Sequence, residues 1–172
     1  MITSEEMCKR FHMATKKHGN TFPVSVIDIA REMGVSVKLS NDLPDKLSGL
    51  IGKLDENFVI LVNARHSAGR MSFTIAHEIG HLIEHFDFLN NGKEIISGIK
   101  SCLPRCDRID NNEYNKMEKQ ANKFAADLLM PQAEFLKKCE EFDSIEEIAQ
   151  YFGVSVPAAS VRANNLGGWF FI

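Results

Sequence analysis

Two histidines four residues apart, His77 and His81, bracket Glu78 in a pattern of helical period that runs from Ser67 to His85. At about 100° per residue, Met71, Ile75, Ile79, Leu82, Ile83 and Phe86 gather on one side, while His77, Glu78, His81 and His85 fall on another arc. A fold built around this segment buries the first face and displays the second. Imidazoles at i and i+4 can share one tetrahedral ion at roughly 2.0–2.1 Å, with the glutamate between them leaning over the open position. The plainer alternative, two surface histidines on a solvated face, is disfavoured by the strength of the helical context.

A catalytic zinc usually takes three protein ligands, so a third must come from elsewhere. His85 is too far along, since His77 to His85 spans about 12 Å of helix axis; it either supports the site from outside the ligand set or is exposed. The metzincin arrangement, with a third histidine six residues past the second, fails because position 87 is Asp. Glu118 is a better donor. It lies on a second long helix, about Asn112 to Met130 and stopped by Pro131, where Ala121 and Ala125 permit close approach of two helices. Glu118 reads as the third ligand or as a solvated carboxylate. Asn122, one turn on, reads as the acceptor for a ligand histidine's free ring N–H or as a surface amide.

At 172 residues, with 44% hydrophobic and 25% charged, the chain is long enough to fold as one domain without disulfides or a structural metal. A metal here is therefore functional. Twenty basic against 23 acidic residues give a net charge of −3, which argues against a general phosphate-binding surface. The longest apolar runs, Phe58 to Val62 and Trp169 to Ile172, fall far short of the roughly 20 residues a bilayer needs. Met1-Ile2-Thr3-Ser4-Glu5-Glu6 lacks the basic-then-apolar order of a secretory signal. A cytoplasmic protein is expected, with Cys8, Cys102, Cys106 and Cys139 as reduced thiols.

The remaining chain reads as follows. Ser4 starts a helix ending near His18-Gly19, and Ser25 precedes a short helix stopped at Gly34. Val35 to Leu39, Leu47 to Leu54 and Phe58 to Val62 form a small antiparallel sheet. Phe86 to Asn111 is irregular and the most mobile stretch. Helices then follow from Gln132 to Cys139, Ile145 to Phe152 and Ala158 to Leu166, the last two as a tight helical hairpin. Ile148 to Val156 echoes Ile29 to Val37, which reads as shared helix-stop chemistry and not as a repeat architecture.

The residues Ile29-Ala30 to Gly34, Leu47-Ser48-Gly49-Leu50, Ile60 to Asn63, Phe73 to Leu82 and Glu118 to Pro131 together resemble the ImmA/IrrE family of metallopeptidases. The resemblance implies an α+β fold: the sheet packed on a helical zincin-like core, with a helix-turn-helix-like hairpin at the C-terminus. Residues 1–139 would be the peptidase core and 140–172 the subdomain packed on it. It further implies zinc held by His77, His81 and Glu118, with Glu78 as the general base. Its substrate would be a helix-turn-helix repressor, cut to release transcription of a mobile element or stress regulon. The sequence departs from the family at Ser72, where an arginine is common, and at the Cys102 and Cys106 pair. It resembles the short, mobile-element type of that family. Tyr114 and His85 are the available oxyanion donors. The tail from Cys139 onward holds five acids against the single base Arg162, so protein docking or packing is expected of it and nucleic-acid binding is not. The rival to an enzyme is a regulatory module that docks on a repressor and keeps its zinc for structure.

Overall fold

The computed structural model describes residues 2–55, 57–90, 95–97 and 111–167. Thr3 caps the first helix, α1 (Ser4–His18), by accepting from the Glu6 amide, so the cap falls one residue before the Ser4 start read from the sequence. The next helix, α2 (Val26–Met33), ends at Gly34 with φ 79°, and β1 (Ser36–Ser40) follows directly. A hairpin, β2 (Gly49–Leu54) and β3 (Asn57–Asn63), completes the sequence-visible part of the sheet.

The class is α+β, but the sheet is mixed. Its order is β1-β3-β2-β4, with β1 parallel to β3 and the other pairs antiparallel. The reason lies in burial. Phe58, Ile60 and Val62 of β3 are all buried and need neighbours on both sides, so β3 takes an interior place; β1, with Leu39 exposed, is left at the edge. The hairpin's second strand thus slots between β1 and β2, and lies parallel to β1.

The long helix is α3 (Ala68–Glu84), capped by Ser67, whose hydroxyl accepts from the Arg70 amide. Its Ile75, Ile79 and Leu82 enter a core shared with Ile51, Ile60 and Val62 of the sheet and Ile29 and Met33 of α2. Each such side chain contributes about 1.5–3 kcal/mol of burial free energy. The segment expected to be irregular begins with a short helix, α4 (Phe86–Asn90), and contains β4 (Ile95–Ser97), which pairs with β2. Phe86 and Leu89 anchor α4 because both are buried. Asn111, the last residue of that segment, already begins the next helix, and residues 91–94 and 98–110, including Cys102 and Cys106, lie outside the described residues; Cys8 and Cys139 are free thiols.

The second long helix, α5 (Asn111–Leu129), lies along α3 and is followed by α6 (Gln132–Glu141), α7 (Ile145–Phe152) and α8 (Val156–Asn165). α7 begins at Ser144, whose hydroxyl accepts from the Glu147 amide. It ends at Gly153 with φ 64°, whose amide donates to Ala149 and Gln150 just as that of Gly34 donates to Ala30 and Arg31. The echoed nonapeptides are therefore two copies of one helix stop. Ile148, Phe152 and Ala159 of the tail enter the same core as α3 and α5.

Arg162 ties α8 to the end of α5. Its Nε donates to the Met130 carbonyl at 3.1 Å, just past the end of α5, and its guanidinium lies 2.8 Å from Asp127. A cation suits a helix C-terminus, where carbonyls lack partners. Hydrogen bonds to a charged group contribute about 1.5–3 kcal/mol, less where one partner is half-exposed as Asp127 is. Arg162→Ala is expected to cost about 2 kcal/mol and lower Tm by about 4–8 °C. A thermal melt that does not move would remove this contact from the stability of the fold.

Candidate metal centre

His77 and His81 stand one turn apart on α3, and their Nε2 atoms face each other at 3.0 Å. Glu118 enters from α5 with Oε1 at 3.1 Å from His81 Nε2 and Oε2 at 3.6 Å from His77 Nε2. All three donor atoms lie within 4.8 Å of one another. A tetrahedral ion with bonds of 2.0–2.1 Å holds its ligand atoms about 3.3 Å apart. The observed separations bracket that value, so two imidazoles and a carboxylate fit a divalent metal.

Close helix packing makes this convergence possible. A Cβ placed on Gly80 would meet Phe124 at 3.0 Å and the Ala121 Cα at 3.2 Å, and Ala121 and Ala125 are fully buried at the contact. The absence of a side chain at position 80 lets α5 come near enough for Glu118 to reach both histidines. The polar arc of α3 is consequently covered: His77, Glu78 and His81 are all at most 5% exposed. Sequence periodicity placed this arc at the surface, because a face covered by another helix and a solvated one have the same polarity pattern.

Asn122, one turn after Glu118, accepts from His77 Nδ1 at 3.0 Å. That bond puts the ring proton on Nδ1 and turns the Nε2 lone pair toward Glu118 and His81. Burial is the main cause holding His81 down at about 4; the Glu118 hydrogen bond opposes it and the charge of His77 adds to the depression. Burial acts on His77 in the same sense. There the Glu118 hydrogen bond and the charges of Glu78 and Glu118 outweigh it, so His77 is raised. Burial raises Glu118, yet hydrogen bonds and charge from the two histidines bring it down to about 2. In the absence of a metal, a histidine proton thus neutralises the carboxylate.

Glu78 is wholly buried and lies against the start of β2. A Cβ on Gly49 would come within 3.5 Å of Glu78 Oε1 and would clash with Thr74 at 2.5 Å and the Leu61 carbonyl at 2.9 Å. The glycine that weakens β2 as a strand is what lets the sheet pass this close to the motif helix.

A cleft of about 280 Å³ opens on the site, lined by Ser48, Arg70, Phe73, Thr74, His77, Glu118 and Asn122. Neither His85 nor Tyr114 lines it. His85 closes α3, its ring 5.5 Å from that of His81, and faces a separate hollow with Glu84, Asp87 and Glu113; Tyr114 is half-buried on α5, one turn before Glu118. The structure brings His77, Glu78, His81, Glu118 and Asn122 together and adds Arg70, Phe73, Thr74 and Ser48, which sequence reasoning missed. Arg70, Phe73, Thr74 and His77 follow an i, i+3, i+4, i+7 spacing that could have revealed a shared face; Ser48 carried no comparable signal.

A family model described as the IrrE N-terminal-like domain matches residues 30–164, which includes every residue of this site. Among solved structures, a Mycobacterium tuberculosis transcriptional regulator superposes with a TM-score of 0.61 at 20% identity. The match covers 93% of this chain and 47% of the regulator, so the chain spans about half the length of that neighbour and shares its fold. No curated protein is significantly similar in sequence. Among the described residues, no helix is long and apolar enough to cross a membrane. Over most of its length, and through the motif helix and the helix that carries Glu118, this chain belongs to the Peptidase M78 family of IrrE N-terminal-like, metallopeptidase-like domains.

Proposed function

We propose that the protein is a zinc-dependent endopeptidase of the cytoplasm that cuts a helix-turn-helix transcriptional repressor and so releases transcription of a mobile element or stress regulon. The observation that carries this reading is the convergence of His77, His81 and Glu118 on one point beside the buried Glu78. Family membership supports the peptidase chemistry, and the structural neighbour's name as a transcriptional regulator fits a role in gene control. Residues 1–139 would be the catalytic core and 140–172 a helix-turn-helix-like subdomain for packing or protein docking. The acids of that subdomain disfavour DNA, and its one base, Arg162, is buried against α5.

In this mechanism His77, His81 and Glu118 hold the zinc, and Asn122 fixes the tautomer of His77. Zinc bound there supplies a Lewis acid that polarises the scissile carbonyl and acidifies water. Glu78 takes the proton from the attacking water on its carboxylate and delivers it to the leaving amine. The closeness of α3, α5 and β2 keeps bulk solvent away from the Glu78 carboxylate, so its proton stays within the site.

The test is to incubate the zinc-loaded full-length protein with a repressor encoded beside its gene and to read the products by mass spectrometry. Two complementary fragments are expected. An intact repressor that binds the protein would replace hydrolysis with the docking role.

Zinc binding is also expected to release a proton from the His77 ring in the fraction of molecules that carry it, more than half of them at pH 6.5. His77, raised above 6.5, must lose its proton to become a ligand, whereas His81 at about 4 and Glu118 at about 2 are already unprotonated. Affinity should therefore fall as pH drops through the raised His77 value. Calorimetric titration in buffers of different ionisation enthalpy counts the proton; a count near zero at pH 6.5 would contradict the His77 assignment.

A further inference from the structure

Arg70 is an exposed arginine on the motif helix, two turns before His77, and it lines the same cleft as His77 and Glu118. Its side chain donates one hydrogen bond, to the Ser48 hydroxyl at 2.9 Å, and among the described residues no carboxylate pairs with it. A guanidinium has five N–H donors in a planar fork. One neutral hydrogen bond holds the fork in place and leaves most of its donors and its whole charge directed to whatever enters the cleft. Other arginines of the chain are neutralised: Arg10 by Glu6, Arg31 by Asp28, Arg65 by Asp45 and Arg162 by Asp127. Among the described residues Arg70 is thus a cation without a paired carboxylate, in the cleft that His77 and Glu118 also line.

Distance converts this into substrate selectivity. Seven residues of helix separate Arg70 from His77 by about 10 Å along the axis, and an extended peptide advances about 3.3 Å per residue. Phe73, between them on the same face, offers an apolar wall to the intervening side chains. We propose that Arg70 is a specificity-determining residue that receives a carboxylate of the peptide about three residues from the bond that is cut. The inference rests on the peptidase reading for its position, and on the cleft alone for its chemistry. Planar, bidentate pairing makes arginine the natural partner of a carboxylate, which an internal Asp or Glu or a free C-terminus can supply.

The experiment uses full-length, zinc-loaded protein carrying Glu78→Gln, so that bound peptide is not consumed, and three rhodamine-labelled octapeptide pools read by fluorescence anisotropy. The pools are mixed among uncharged residues. They differ in carrying one internal Glu with an amidated end, one internal Gln with an amidated end, or that Gln with a free carboxylate end. About fivefold tighter binding of a carboxylate-bearing pool over the amidated Gln pool is expected, and the pool that gains identifies the source of the carboxylate. Adding Arg70→Gln should reduce the ratio to about one, Arg70→Lys should keep part of it, and Arg70→Glu should reverse it in favour of the amidated Gln pool. Equal binding of the three pools, or binding of none, overturns the subsite. Digestion of the same pools by protein with Glu78 intact separates the two ideas. A carboxylate preference in binding without any cleavage rejects the peptidase and keeps the subsite; cleavage without that preference does the reverse.

Discussion

Zinc-loaded protein carrying Glu78→Gln is expected to bind its peptide substrate and leave it intact. The amide has nearly the shape of the carboxylate, and the site at Glu78 is wholly buried between α3 and β2, so the fold and the metal ligands should be undisturbed. What is lost is the capacity to accept a proton. General acid–base catalysis contributes about 10²–10⁴-fold, and Glu78 is assigned both the uptake of the water proton and its delivery to the amine. A fall in cleavage rate on the order of 10³-fold or more follows, with zinc content and thermal melt unchanged. Cleavage at the unmodified rate would show that another group takes the proton.

The second large effect concerns Glu118. Purified protein should carry close to one zinc per chain, and Glu118→Ala should reduce this nearly to zero after dialysis, because two imidazoles alone leave the ion without its third protein donor. Asn122→Ala is the graded comparison. It removes only the acceptor of the His77 ring proton, a change that typically costs about 10–100-fold in metal affinity. Both variants should remain folded, since the core of α2, α3, α5 and the sheet is built from apolar side chains that do not depend on the ion. Elemental analysis against a zinc-buffered series measures the two effects. Full zinc retention in Glu118→Ala would exclude it as a ligand.

Local chemistry was legible in the sequence and long-range pairing was less so. Ser67, Gly34, Ser144 and Gly153 mark helix ends through bonds made within one turn, and each lies where the sequence puts it. The 77–81 motif is similarly local. Glu118 is different: it meets His81 across 37 residues of sequence, and only Ala121 and Ala125 hinted that its helix could come close. The parallel direction of β1 is not legible in the sequence because nothing in a short strand records which neighbour it will take, and the buried pattern of β3 settles that only once the sheet exists. Arg70 belongs to no motif. Its proposed role rests on the lack, among the described residues, of a carboxylate paired with it, and such a lack has no signature in sequence.

The contact between Arg162 and the end of α5 bears on how this chain can be altered. α5 carries Glu118 and Asn122 in its first two-thirds and is held at its far end by a residue from the last helix. Cutting the chain after α6 to isolate a catalytic fragment would remove that hold, bare the Met130 carbonyl and strip the apolar faces that Ile148 and Phe152 cover. The last two helices are thus not a cargo that can be exchanged while the rest is kept; grafts and chimeras made at that boundary would disturb the alignment of the two long helices, and with it the spacing of His77, His81 and Glu118.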